Sequence, residues 1–268
     1  GGLAAALFFF FNDAATAEVY ALSLDDAVRI SAVGFAANVQ NGFASNALGS
    51  GAKVFDSTNA TSVGNATISS NSNFSTAVGN SAKVTSSVNA GAYGQNASVT
   101  NSANSTALGQ NAIVNNSNSA MALGQKSLVD GSINASAVGY GSQVINNSIY
   151  SQAFGASNII DGSQYSTAVG KSSTITASNN ASLVGTNSKI INASNYSQAF
   201  GTNNIIDGST NATGVGVNTK ISASNNAVAM GNGANVASAK DGIAIGTNAN
   251  VTVANSVALG AGSTAVAA

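Results

Sequence analysis

Apolar and polar positions follow one another along this chain in a pattern that repeats every fifteen residues. The phrase Asn104-Ser105-Thr106-Ala107-Leu108-Gly109 leads into Gln110-Asn111-Ala112-Ile113-Val114. One step later Ser119-Ala120-Met121-Ala122-Leu123-Gly124 leads into Gln125-Lys126-Ser127-Leu128-Val129. The closing glycine recurs at Gly34, Gly49, Gly64, Gly79, Gly94, Gly109, Gly124, Gly139, Gly155, Gly170, Gly185, Gly201, Gly216, Gly231, Gly246 and Gly260. Successive differences are 15, apart from 16 at 139 to 155 and at 185 to 201, and 14 at the last step. A period held over that distance sets the architecture before any single residue is considered.

Fifteen residues are too few for a strand plus a helix and too many for one strand. They suit one coil of a solenoid, with two short strands and two turns, each coil pairing only with its neighbours. At about 4.8 Å per coil the stack is a rod roughly 70 Å long. The coils of 14 and 16 residues must absorb their difference in a turn, because an odd shift inside a strand would reverse which side chains face inward.

Immediately before the glycine come Val33, Leu48, Val63, Val78, Leu108, Leu123, Val138, Val169, Met230, Ile245 and Leu259, with Tyr93, Phe154 and Phe200 as bulky variants. One residue earlier Ala recurs, and five residues after nearly every glycine comes Val or Ile, from Val39 to Val251. Neighbouring strand residues point to opposite faces. Two adjacent apolar columns therefore predict a strand covered on both faces. A thin roll has one interior, so the column of Val33, Leu48 and Leu108 predicts a seam against further copies of the chain, in closed cyclic symmetry. Phe154 and Phe200 are expected to lie inward as core.

The repeat predicts one domain over residues 31–268, about 15 coils, preceded by an atypical segment, 1–30. That segment contains the apolar run Leu3 to Phe11, well short of the ~20 residues of a spanning helix. It is similar to the apolar core of a signal peptide, with Ala15-Thr16-Ala17 as a cleavage-like site, but no basic residue precedes it. An end cap is the better reading, since terminal coils expose raw strand edges. Five of the seventeen charged residues (8 basic plus 9 acidic) fall here: Asp13, Glu18, Asp25, Asp26 and Arg29.

Charge changes the picture most. Charged residues make up 6% of the 268, with a net charge of −1, against about 25% in ordinary domains. No basic cluster is present, which argues against nucleic acid as a partner. Ser, Thr, Asn and Gly fill the remaining positions, and stacked Asn side chains are expected to form amide ladders. The chain has no Cys, His, Trp or Pro. Thiolate chemistry is thereby absent, and the lack of Pro suits a ladder that needs its backbone donors.

Asp-Gly occurs at 130–131, 161–162, 207–208 and 241–242. Calcium-binding toxin repeats need a nine-residue period, so these read as tight turns. Gly49-Ser50-Gly51 lacks the lysine and helix of a phosphate loop. Ser, Lys and Asp sit on repeating rungs with no unique combination, so no enzyme, metal or cofactor is expected. Asn-x-Ser/Thr triplets such as Asn59-Ala60-Thr61 read as ladder chemistry. Tyr150, Tyr165 and Tyr196 fall in the variable segment and are the candidate ligand contacts. A longer echo joins Tyr150–Gly155 to Tyr196–Gly201 and Asn158–Ser163 to Asn204–Ser209, each offset by 46 residues.

The phrase Asn104 to Gly109, with Ser75-Thr76-Ala77-Val78-Gly79 and Asn255-Ser256-Val257-Ala258-Leu259-Gly260, resembles the head repeat of trimeric autotransporter adhesins of the YadA-like kind. The resemblance covers about 31–262. It implies an all-β, left-handed parallel β-roll, or β-solenoid, assembled as a homotrimer and displayed on the cell surface beyond a Gram-negative outer membrane. It also implies attachment to host extracellular-matrix proteins, cells or abiotic surfaces, with no membrane contact by this segment. No heptad coiled coil, neck or membrane barrel is visible, so an excised head is expected. Two rivals are a spacer or phage-fibre solenoid without a ligand, and an ice-binding solenoid. The latter needs a regular Thr ladder, whereas the column three before the glycine reads Ser31, Asn46, Thr61, Thr76, Gly91, Thr106, Met121.

Overall fold

The computed structural model describes residues 30–266. The cap reading of the amino-terminal segment therefore falls outside the described residues, Ile30 apart. The described residues form thirty-two short strands and no helix. The strands make two parallel sheets of 16, one built from alternate strands Ser31–Val33 through Val257–Leu259, the other from Asn38–Gln40 through Thr264–Ala265. We refer to them as the anchor sheet, whose strands lead into the glycine, and the valine sheet. Each coil gives one strand to each sheet, and equivalent residues pair directly: Ala107 with Ala92 below and Ala122 above, Val114 with Val99 and Val129. The chain is thus a parallel β-solenoid of sixteen coils.

The glycine is required by the stacking. A Cβ on Gly109, where φ is 135°, would lie 2.6 Å from both the carbonyl carbon and oxygen of Gly124 in the next coil. No L side chain fits there, so the same residue must return on every rung.

One coil shows how the interior is built. Ala107, Ala112, Val114, Ser117 and Ala120 are all buried. Small residues meet across a narrow core, and the Val or Ile column supplies most of its bulk, joined by Leu183 in the anchor sheet. Sizes compensate locally: where Thr219 replaces the usual Ala, Gly214 stands opposite, and a Cβ there would meet the Thr219 hydroxyl at 3.0 Å. The coil of Ser62, Thr67 and Ser69 is polar inside. Ser62 Oγ donates to the Lys53 carbonyl at 2.9 Å and lies 3.1 Å from the Ser69 hydroxyl, whereas Thr67 Oγ1 is buried without a partner.

Corners explain part of the Asn content. Each coil turns at left-handed residues; Asn111, Asn116 and Ser119 have φ of 56°, 49° and 55°. Asn tolerates this region because its short amide bonds locally. The 16-residue coils place their extra residue in one such corner, as the consecutive left-handed pairs Asn146-Asn147 and Asn192-Ala193. Register survives, with Ala137 opposite Ala153 and Val144 opposite Ile160. Gly131, Gly162 and Gly208 are left-handed turn residues, as expected for Asp-Gly. The fourth pair differs: Asp241 takes the left-handed position, and Gly242 N–H donates to the Ala239 carbonyl at 3.1 Å.

A buried serine spine runs through the corner after the valine sheet. Ser72, Ser87, Ser102, Ser117 and Ser132 each donate a backbone N–H to the hydroxyl of the serine one coil earlier, at 2.9–3.0 Å. Each of those hydroxyls from Ser72 to Ser117 in turn donates to the carbonyl two residues before it at 2.7 Å. The column continues through Ser148, Ser163, Ser178, Ser194, Ser209 and Ser224 to the N–H of Ala239. It satisfies donors that the turn leaves without a carbonyl partner, and buried donors need one.

The 46-residue echo is a structural duplicate. Asn158 and Asn204 are fully buried and donate from Nδ2 to the carbonyls of Phe154 and Phe200, at 2.7 and 2.8 Å. Their Oδ1 atoms accept the N–H of Ser173 and of Thr219, both at 3.0 Å. Here the anchor strands lengthen from three to five residues, as in Gln152–Ala156 and Gln198–Thr202, and run on through the glycine. The phenylalanines themselves correct an expectation: Phe154 is half-buried and Phe200 is 37% exposed, both on the outer face. The inward place belongs to Ala153 and Ala199, which stand in register with the buried Ala137, Ala168 and Leu183, so the ring one residue on faces out.

Candidate functional site

The outer face of the anchor sheet carries the column that the sequence singles out. Val33, Leu48, Val63 and Val78 stand opposite one another in successive strands, as do Leu108, Leu123 and Val138 further up. Val169, Ile245 and Leu259 continue the same line. Tyr93, Phe154, Val184, Phe200, Val215 and Met230 fill the other rungs, so all sixteen positions are apolar. From Ala47 to Ala258 their inward neighbours are sealed, while Leu108 is 48% exposed and Leu259 72%. Val63, Val78, Leu123, Val138, Val169 and Ile245 are half-buried.

Charge is sparse on this face, where Lys171 ends the anchor strand Thr167–Lys171. Neither the column before the glycine nor the one three before it contains a charged residue. Lys53, Lys83, Lys189 and Lys220 instead point outward from the valine sheet, one residue before its Val or Ile column, and Asp130, Asp161 and Asp207 one residue after it. Depletion of charge around an apolar centre distinguishes a contact surface from ordinary exposed surface. A stripe spanning every rung is also far more continuous than scattered exposed apolar residues.

The expected amide ladders are present at the corners and on the valine sheet. Asn89 Nδ2 donates to Asn104 Oδ1 at 3.2 Å, and Asn96 to Asn111 at 3.1 Å. Several end on a carboxylate: Asn146 donates to Asp161, and Asn192 to Asp207, both at 2.7 Å. The Asp residues of the turns are thus occupied by amides of the preceding coil. Among the described residues no group of three or more His, Cys, Asp or Glu could hold a metal ion, and no helix is long and apolar enough to cross a membrane.

Tyr150, Tyr165 and Tyr196 lie together on one corner, away from the apolar stripe. The N–H groups of Tyr165 and Tyr196 bond to the coil below, at Ile149 and Asn179, with Asn180 occupying the coil between them. All three are more than half exposed, and the rings of Tyr150 and Tyr165 stack at 5.2 Å with 10° between planes. Their backbone is left-handed, with φ of 57°, 54° and 57°, at a place held in other coils by Asn89, Asn104, Asn134, Asn211 or Asn226. A bulky residue in this region is strained by about 1–2 kcal/mol. The sequence shows the tyrosines as exposed aromatics; the interruption of an Asn column was the signal for their strain.

No family model matches the sequence, and no curated protein matches it. Fold and surface together define the class: a parallel β-solenoid with a charge-free apolar stripe along one face and an aromatic cluster on a corner.

Proposed function

We propose that this chain is the rod-shaped adhesive head of a bacterial surface fibre, a left-handed β-roll in which three copies pack their anchor sheets around a common axis. The uninterrupted apolar stripe is the observation that supports this reading. Its side chains are already partly covered, so sealing the rest contributes about 1 kcal/mol apiece. Sixteen rungs per copy then exceed the roughly 4–15 kcal/mol lost on association. The repeat's resemblance to YadA-like heads supplies the hand, the number three, and display outside the outer membrane. Adhesion would work by avidity, since three equivalent faces and many fibres multiply weak contacts with host matrix proteins, cells or abiotic surfaces.

Light scattering on the purified chain tests the assembly: about three times the 26.0 kDa of one chain is expected, and a stable, soluble monomer would overturn it. Attachment of cells carrying or lacking this segment tests adhesion. Equal attachment would make the segment a spacer.

A further inference from the structure

We propose that the corner bearing Tyr150, Tyr165 and Tyr196 binds a neutral glycan, with one pyranose ring held between Tyr165 and Tyr196. This names the ligand class for the adhesive reading above and rests on that reading for its setting.

Conformation comes first. The corner needs a left-handed residue, which Asn provides at neighbouring rungs, yet three coils out of four here place a tyrosine there. The one aromatic contact among the three is the Tyr150–Tyr165 stack; it does not account for the exposed Tyr196 at its own strained position. Strain kept where the fold does not need it points to recognition.

Spacing comes second. Tyr150 and Tyr165 cover each other's inner faces. Tyr165 and Tyr196 are two coils apart, about 10 Å at the strand spacing. Van der Waals contact needs about 3.5–4 Å on each side of an inserted ring, so the step admits one puckered six-membered ring. Asn180 stands at the base of that step, with tyrosines in its column above and below, so no ladder amide neighbours it there.

Chemistry comes third. The same two corner positions over these coils hold Ile149, Gln164, Asn179 and Asn195 beside the tyrosines, with no charge. An anionic ligand would find no cation there. A neutral sugar presents C–H faces for aromatic planes and hydroxyls for amides, the pairing this corner offers.

The test uses the purified chain on an array of neutral, sialylated and sulfated oligosaccharides, with a proline-rich peptide as the non-sugar arm. Neutral glycans should be retained. Tyr165→Asn and Tyr196→Asn should each weaken that binding at least tenfold while leaving the melting temperature unchanged or higher, because Asn suits the backbone. Phe74→Asn, a left-handed aromatic elsewhere in the column, should bind like the parent. The chain has no Trp, and three of its 6 Tyr lie in the cluster, so tyrosine fluorescence should also respond to the bound sugar. The proposal is overturned by no neutral glycan bound, by tighter binding of the anionic or peptide arms, by undiminished binding in the tyrosine variants, or by equal loss in Phe74→Asn. A trimer that anchors cells yet retains no neutral glycan sinks this inference alone; a monomer that retains one sinks the assembly instead.

Discussion

Ser117 Oγ accepts the backbone N–H of Ser132 at 2.9 Å, one coil further along, while donating to the carbonyl of Asn115 at 2.7 Å. A single hydroxyl thus closes its own turn and ties it to the next. Ser117→Ala leaves the Ser132 N–H buried and unpaired, a loss of about 1–3 kcal/mol. Denaturant melts should show that loss, and hydrogen exchange should quicken at Ser132 before distant coils. Exchange that is unchanged at Ser132 would show that the hydroxyl carries no such role.

Two glycines separate stacking from conformation. Gly109→Ala drives a methyl into the Gly124 carbonyl and should destabilise by more than about 3 kcal/mol. Gly131 has φ of 62° and nothing nearer than the Asn147 nitrogen at 4.0 Å. Gly131→Asn should therefore stay within about 1 kcal/mol of the parent. Chemical denaturation of both variants, judged by midpoint, makes the comparison.

Thr67→Val removes a buried hydroxyl that has no hydrogen-bond partner and keeps its shape. We expect a gain of about 1 kcal/mol, in the opposite direction to most core substitutions. A lower melting temperature would refute it.

Leu108→Asp puts a carboxylate into the middle of the apolar stripe. On the proposed assembly, every copy brings that charge to one axis, and desolvating it is far more unfavourable than losing a Leu contact. Light scattering should show a smaller species, whereas Leu108→Ala should keep the parent mass. Parent mass in the Asp variant would place the seam elsewhere.

Deleting Asn147 shortens a corner that holds two left-handed residues in succession. The coil should return to fifteen residues and remain folded, within about 1 kcal/mol of the parent. Deleting Val144 instead shifts a valine-sheet strand by one and turns its faces over. Circular dichroism and melting should separate the two, the second losing cooperative folding.

The period, the strands, the glycine anchors and the amide ladders were legible because each recurs at one register in every coil. The corners that absorb the longer coils followed from the two-residue alternation of strands. Which of two adjacent apolar columns faces inward was harder to read. Ala107 and Leu108 are both apolar, and it is the register, two residues before the glycine, that sets which one faces inward: Leu183 takes the inward place at 0% exposure while the smaller Val184 faces out at 42%. Hydrophobicity suggests an inward Phe154 and Phe200, but they stand in register with the outward Val138 and Val184. The serine spine escaped notice because serine is abundant everywhere in the chain, so its repetition at one corner did not stand apart. Asn158 and Asn204 stand out in the sequence only as members of the 46-residue echo, with nothing in an Asn-rich chain to mark them as buried. The strain of Tyr150, Tyr165 and Tyr196 is signalled in the sequence only by the break they make in an Asn column, and the backbone angles give it directly.

The bonds between coils, such as Ser117 N–H to Ser102 Oγ and Asn111 N–H to the Gln95 carbonyl, all run along the long axis of the rod. A pull between its two ends therefore meets them a row at a time instead of all together. The outermost turn of chain would peel away and release a tether of about 50 Å (fifteen residues at roughly 3.3–3.6 Å) before the next row feels the tension. Under flow, such a molecule yields in small equal increments, lengthening to dissipate a tug that would snap a stiffer link.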